Sequence, residues 1–293
     1  MAARVTAPAV RARKVARGSE PLVMVTAYDA PGARMVDESG ADVILVGDSV
    51  AMVVLGYDDT LSVTIDDMAH HVAAVARTKP RPLVVGDLPW MSYHLSPEDA
   101  VRNAATLVRA GAGAVKLEGG TKRVPVVEAI VDAEIPVMGH LGLTPQSVHA
   151  MGGFKVQGKD VDAAHRLVED ARALVDAGAF SIVLEGVPDA VARMVTDAID
   201  VPTIGIGAGR HCDGQVLVFH DVLGVEDRIT PKFVRRYASL KTDAVAALAA
   251  FGADVRSGAF PSDDESYHLP AGIAAELGVD AEELVGLYGS MSA

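Results

Sequence analysis

A chain of 293 residues, half of them hydrophobic and only 22% charged, can bury a large core and is no intrinsically disordered segment. Its formal net charge of -13 argues against bulk nucleic acid as a partner, which calls for a basic surface. The single cysteine, Cys212, excludes an internal disulfide and fits a reducing cytoplasm.

In chain order, the first 20 residues carry Arg4, Arg11, Arg13, Lys14 and Arg17 against one acid, Glu20. No apolar core of signal-peptide length follows, and no later run approaches the roughly 18 apolar residues of a membrane span. The segment reads as a short basic helix or arm. LVMVTAYD at 22–29 reads as the first strand, 31–39 as a helix stopped by Gly40, and DVILVGDS at 42–49 as the second strand. AMVVLGYDDTLSV at 51–63 is an unusually apolar loop. Thr64 with Asp67 has the spacing of a capping box and opens a helix to about Thr78. PLVVGDLP is strand three, and Ser96-Pro97-Glu98-Asp99 opens a helix that closes near Gly111.

AVKLEG is strand four, 122–133 a helix, and PVMGHLG strand five. A long loop carries Gly152, Gly153 and Gly158, then a helix at 161–177 leads to SIVLEG, strand six. A helix at 189–199 leads to PTIGIGAG, strand seven; QVLVFHD at 215–221 reads as strand eight and 231–251 as the helix that closes the fold. Short β-branched runs of this kind are strands buried on both faces, as in a parallel sheet. Their alternation with helices predicts a (β/α)8 TIM barrel over residues 1–268, including the N-terminal arm. FPSDDES is a turn-rich linker, and 269–293 is a C-terminal extension of unknown role with one or two short helices.

The C-terminal ends of barrel strands meet at one mouth, so the polar groups that end these runs should share a pocket. They are Asp48-Ser49, Asp87, Lys116 with Glu118, His140, Glu185, and the glycines Gly205, Gly207 and Gly209. Asp48, Asp87 and Glu118 lie at three adjacent strand ends; hard oxygen ligands with room for water suit Mg2+ better than Zn2+. Any one of them alone would more often cap a helix or pair with a cation; three together favour a site. Lys116 shares a strand face with Glu118 and would neutralise the acids, bind an anionic substrate or form a Schiff base. Nearby acids work against the last, which favours anion binding. His140 is open between metal ligand, acid/base group and satisfied barrel histidine. Glu185 is the best free candidate for a general base, against a purely structural carboxylate.

GIGAG lacks dinucleotide-binding spacing and is read as allowing close approach of a ligand to the backbone. His70-His71 is read as a surface pair, and Cys212 as a bystander thiol.

At TAYDAPGARMVDESGADVILVGDS, MVVLGYDDTLSVT, DLPWMSY, VKLEGG, PVMGHLGLTPQS, GGFKVQGK, IGIGAG and FPSDDESYH the chain resembles the ketopantoate hydroxymethyltransferase family, from about residue 4 to His268. The resemblance implies a barrel of the phosphoenolpyruvate mutase/isocitrate lyase-like type. It also implies hydroxymethyl transfer from 5,10-methylenetetrahydrofolate to 3-methyl-2-oxobutanoate through a Mg2+-stabilised enolate, at the start of pantothenate and coenzyme A biosynthesis. Carried over by motif, Asp48, Asp87 and Glu118 match the metal ligands. Asp48, Ser49, Asp87 and Lys116 match the keto-acid site, and Glu185 the proton acceptor. The implied partners are small-molecule substrates and further copies of the chain in a cytoplasmic homodecamer, with no membrane or nucleic acid. A carbon–carbon lyase of the isocitrate lyase type would carry a cysteine in the loop after strand four, and VKLEGGTKRV has none. A non-catalytic ligand-binding barrel would not need a metal set together with a base.

Overall fold

A computed structural model describes residues 3–226, 228 and 231–278. Its strands are β1 Leu22–Thr26, β2 Val43–Val46, β3 Leu83–Asp87, β4 Ala114–Glu118, β5 Val137–Gly142, β6 Ser181–Glu185, β7 Thr203–Ile206 and β8 Gly214–Leu217. Each pairs in parallel with the next, and β8 returns to β1, which closes an eight-stranded barrel. The helices are α1 Ala7–Arg11, α2 Ala30–Glu38, α3 Val50–Val53, α4 Ile65–Ala76, α5 Pro97–Ala110, α6 Val124–Asp132, α7 Val148–Met151, α8 Val161–Asp176, α9 Asp189–Ala198, α10 Phe219–Leu223, α11 Leu240–Ser257 and α12 Ala271–Glu276.

Local chemistry starts and stops these elements. Asp29, Ser96 and Asp160 each accept a backbone N–H at the start of α2, α5 and α8. Thr64 and Asp67 form the full capping box at α4. Gly111 closes α5 at φ 115°, a conformation that needs no Cβ.

Strand periodicity aims the side chains. Leu83 and Val85 on β3, Ala114 on β4, Met138 on β5 and Val183 on β6 fill the barrel interior. Their partners one residue on, among them Val84, Val115 and Leu184, pack outward under the helices. The same two-residue period turns Asp87, Lys116, Glu118, His140 and Glu185 inward at the C-terminal ends. The register sets Asp87 beside Lys116 and Glu118 beside His140.

The N-terminal arm is anchored at the opposite end. Lys14 is buried, with Nζ 3.0 Å from Asp213 Oδ2 and donating to the carbonyls of Thr196 and Val201 at 2.6 and 3.2 Å.

Three local expectations change. Phe219-His220-Asp221 belongs to α10 rather than to strand eight: the Phe219 N–H turns to Thr26 Oγ1 at 2.9 Å and leaves the ladder. The apolar loop at 51–63 starts inside α3, which buries Val50 and Ala51. The helix expected at 231–251 is Leu240–Ser257; residues before it make turn contacts, such as the Val234 N–H to the Pro231 carbonyl at 3.0 Å. The barrel is closed by the β8–β1 pairing and not by that helix.

The chain divides into two compact units, Met1–Tyr237 and Ala238–Ala293. The boundary read from the sequence, 268/269, lies within the second. That unit holds α11, a short 3-10 turn capped by Ser262, and α12; the rest of the helical expectation, 279–293, lies outside the described residues.

Candidate active site

The C-terminal mouth opens into a cavity of about 1110 Å3. Asp48, Ser49, Asp87, Lys116, Glu118, His140, Glu185, Gly207 and Gly209 all line it. Gly205 does not: a Cβ there would meet Cys212 Sγ at 3.0 Å, on the outer side of the strand.

Charge is concentrated at the floor. Lys116 Nζ lies 2.8 Å from Asp87 Oδ1, both side chains almost fully buried. Burial works against the lysine cation, but Asp87, Glu118 and Asp48 outweigh it and hold the amine charged. Burial pushes the Asp87 carboxyl up to about 7, against the pull of Lys116. Asp48 is pushed up to about 6 by burial and by Glu118, with Lys116 opposing. The Asp48 N–H donates to Asp87 Oδ2 at 3.2 Å, so the two acids are tied through the backbone as well.

His140 bridges the cluster to Glu185. Its Nδ1 stands 3.2 Å from Glu118 Oε1 and its Nε2 3.3 Å from Glu185 Oε2. Burial and Lys116 push the imidazole pKa down, while hydrogen bonding to Glu118 and Glu185 and the Glu118 charge lift it to about 9. The two flanking carboxylates thus favour the charged form of the ring. The Glu185 side chain is 17% exposed against 2% for Glu118, so Glu185 is the more accessible of the two.

Ser49 Oγ shares a hydrogen bond of 2.8 Å with Tyr28 Oη, whose pKa burial raises, so the phenol stays protonated. Gly142, at φ 94°, ends β5 where a Cβ would strike the Glu185 carbonyl; only glycine lets β6 approach there. The expected role of the GIGAG glycines changes in part: at Gly207, φ 62°, a Cβ would meet the Phe233 ring at 2.7 Å. The close approach there is made by the protein's own side chain.

Two site residues are not singled out by the sequence, although both lie in segments, DLPWMSY and PVMGHLGLTPQS, that carry the family resemblance. Gln146, in the loop after β5, is 5% exposed and donates from Nε2 to Asp48 Oδ2 at 2.9 Å. Tyr93, in the loop after β3, donates to Gln146 Oε1 at 2.6 Å. Of the histidine pair, His71 is half-buried against the Tyr28 carbonyl at 2.7 Å and only His70 is exposed. Cys212 is buried, and burial raises its thiol, which keeps it protonated and unreactive.

A cation would find oxygen donors here. Asp87 Oδ1 and Glu118 Oε1 are buried and accept no aligned hydrogen bond. Among the described residues no three His, Cys, Asp or Glu side chains are gathered as a ready-made metal cluster. A hard cation that takes one or two carboxylates and completes its shell with water and substrate fits this donor set; a closed protein cage does not.

The fold and mouth chemistry define the class. Over 96% of this chain and 98% of the other, the structure is similar to a 2,3-dimethylmalate lyase described as a PEP mutase/isocitrate lyase superfamily member, with TM-score 0.57 and 20% identity. The likeness is one of fold, a closed parallel eight-stranded barrel. The ketopantoate hydroxymethyltransferase family profile matches residues 4–263, and the chain belongs to that family. The 3-methyl-2-oxobutanoate hydroxymethyltransferase of Syntrophomonas wolfei is 56% identical over 91% of this chain and 96% of its own. The protein of the same name from Methylobacterium sp. (strain 4-46) is 59% identical over 87% and 89%.

Proposed function

We propose that the chain transfers the one-carbon unit of 5,10-methylenetetrahydrofolate to 3-methyl-2-oxobutanoate, giving 2-dehydropantoate and tetrahydrofolate, the first step of pantothenate biosynthesis. The observation that carries this reading is the position of Glu185. It is a cavity-facing carboxylate held by His140, in one cavity with Lys116 and three further acids.

Asp48 and Asp87, with Glu118 completing the set, would hold Mg2+. When bound, the cation polarises the keto group and lowers the cost of the negative charge that develops on its oxygen. Lys116 and Ser49 bind the substrate carboxylate and turn C3 toward Glu185, an orientation effect. Glu185 accepts the C3 proton, and His140 stabilises the ionised carboxylate beforehand. One folate nitrogen takes a proton and leaves, so the methylene carbon becomes an iminium on the other. C3 bonds to that carbon as the C=N pair returns to nitrogen, and water then supplies the hydroxyl as the second nitrogen leaves with a proton. The loops that follow β2 and β5 contribute Met52, Tyr57, Phe154 and Val156 to the cavity wall, which supports their closing over the substrates to exclude water.

The assembly is a homodecamer of two stacked pentameric rings in the cytoplasm. Support for association comes from the family resemblance and from exposed Leu248 and Phe251 on α11. A monomer mass by light scattering at micromolar concentration would reject it. No described helix is long and apolar enough to cross a membrane.

The deciding assay measures 2-dehydropantoate formed from the keto acid and the methylene folate, with and without Mg2+. Product that requires both substrates and the metal is expected. Absence of product under all conditions would reject the activity, and undiminished product in chelator would reject the metal.

A further inference from the structure

Gln146 commits its side-chain amide, its side-chain oxygen and its backbone N–H to partners around the acid cluster. Its side-chain amide donates to Asp48 Oδ2 at 2.9 Å and to the Leu88 carbonyl at 3.0 Å. Its backbone N–H donates to Glu118 Oε2 at 3.0 Å. Its side-chain oxygen accepts from Tyr93 Oη at 2.6 Å. One buried residue thus joins the loop after β5 to the carboxylates that follow β2 and end β4.

The direction of this chain is set by the donor inventory. The Glu118 backbone N–H lies 3.2 Å from Tyr93 Oη, and a backbone N–H can only donate. Tyr93 Oη therefore accepts there and has its single proton left for Gln146 Oε1. That fixes which way the amide faces, a choice that a lone buried glutamine would leave open. The NH2 group must then point at Asp48 and the Leu88 carbonyl. One oxygen of Asp48 and one of Glu118 are consequently held by donors of Gln146. This leaves Asp48 Oδ1 and Glu118 Oε1 for other partners, and Glu118 Oε1 already faces His140 Nδ1 at 3.2 Å.

We propose that Tyr93 and Gln146 are positioning residues that orient the Asp48 and Glu118 carboxylates for a divalent cation, with Tyr93 acting through the amide of Gln146. This rests on the reading of those acids as cation ligands. Partners that orient ligands commonly change metal affinity by roughly 10- to 100-fold when removed.

The test measures Mg2+ binding to the metal-stripped full-length protein by calorimetry, without substrate, for wild type, Tyr93→Phe, Gln146→Met and the double variant. Tyr93→Phe removes one hydroxyl and keeps the ring, so it stays measurable if Gln146→Met fails to fold. Each single variant is expected to weaken binding by roughly 10-fold or more. The double variant should be little worse than Gln146→Met, because the two act in series. Gln146→Glu, which keeps the shape but sets a second acid against Asp48, should bind no better than Gln146→Met.

A lower melting temperature with wild-type Mg2+ affinity in Tyr93→Phe would make these residues structural only and overturn the proposal. Full additivity in the double variant would overturn the serial relay. If wild type itself shows no Mg2+ binding, the ligand reading falls and the positioning role falls with it.

Discussion

Replacing Glu185 by glutamine separates proton transfer from everything else the site does. The amide keeps the size of the side chain and can still accept from His140 Nε2, now 3.3 Å from Glu185 Oε2, so the imidazole keeps its seat. The substituted group lies past the acid–lysine floor, and neither Asp48 nor Lys116 has it as a hydrogen-bond partner among the described residues. Keto-acid and Mg2+ affinities should stay near wild type. What is lost is the more exposed carboxylate of the histidine bridge, and a well-placed general base is worth on the order of 100- to 10,000-fold in rate. Turnover should fall by that order. The His140 pKa, about 9 in the wild type, should fall as well, since the hydrogen bond to Glu185 is one of the contributions that raise it. Exchange of the C3 hydrogen in deuterated water, followed by proton NMR, needs no folate and should slow in parallel with turnover. A variant that loses turnover but exchanges C3 hydrogen at the wild-type rate would refute the assignment. Glu185 would then serve the folate half-reaction, with His140 or a water as the base.

Asp48→Ala and Asp87→Ala should each abolish Mg2+ binding, read by calorimetry, while circular dichroism shows the fold intact; normal metal-dependent turnover in either would refute the ligand assignment. In metal-free protein, Asp48, pushed up to about 6, Asp87 to about 7 and His140 to about 9 all hold protons to higher pH than such groups do in water. Each contribution to stability is full below the unfolded pKa and is lost as pH rises through the folded one. These groups should therefore lower the metal-free melting temperature from about pH 5 to about pH 9, and the gain on adding Mg2+ should grow over the same span, because metal and protons compete for the same oxygens. A Mg2+ gain that shrinks with rising pH would contradict this. Lys14→Met should destabilise the barrel by roughly 3–5 kcal/mol in a denaturant titration, since it strands a buried carboxylate. A loss below about 1 kcal/mol would show that the Thr203 and Val15 N–H groups satisfy Asp213 without the lysine.

Much of the site is readable because barrel strands carry a period of two and end in polar groups. Asp87, Lys116, Glu118, His140 and Glu185 stand in phase with interior residues such as Val85, Ala114, Met138 and Val183, so placing the strand also aims the functional group. The strand cores are apolar on both faces, which made their order clear. Gln146 and Tyr93 are different. They sit in aperiodic loops, and their partners are 98 and 53 positions away in sequence, so the motifs that contain them do not reveal what they touch. Phe219 reads as strand because its neighbours are apolar and β-branched; a tertiary bond to Thr26, 193 residues earlier, makes it helix instead. Lys14 looks like one more exposed basic residue of the arm, and only the coordinates reveal its buried carboxylate.

That anchorage imposes an order on biosynthesis. Lys14 emerges from the ribosome long before Asp213, its partner 199 residues later, and β1 likewise precedes the β8 strand that it must pair with. Closing loops of this length costs entropy before the contact can repay it. Throughout translation of the intervening helices and strands, the nascent chain presents β1 as an open sheet edge, a template for wrong pairing. Arrival of 213–217 caps that edge and brings the buried lysine its partner, so the last-made strand of the barrel secures the first-made strand and the arm before it.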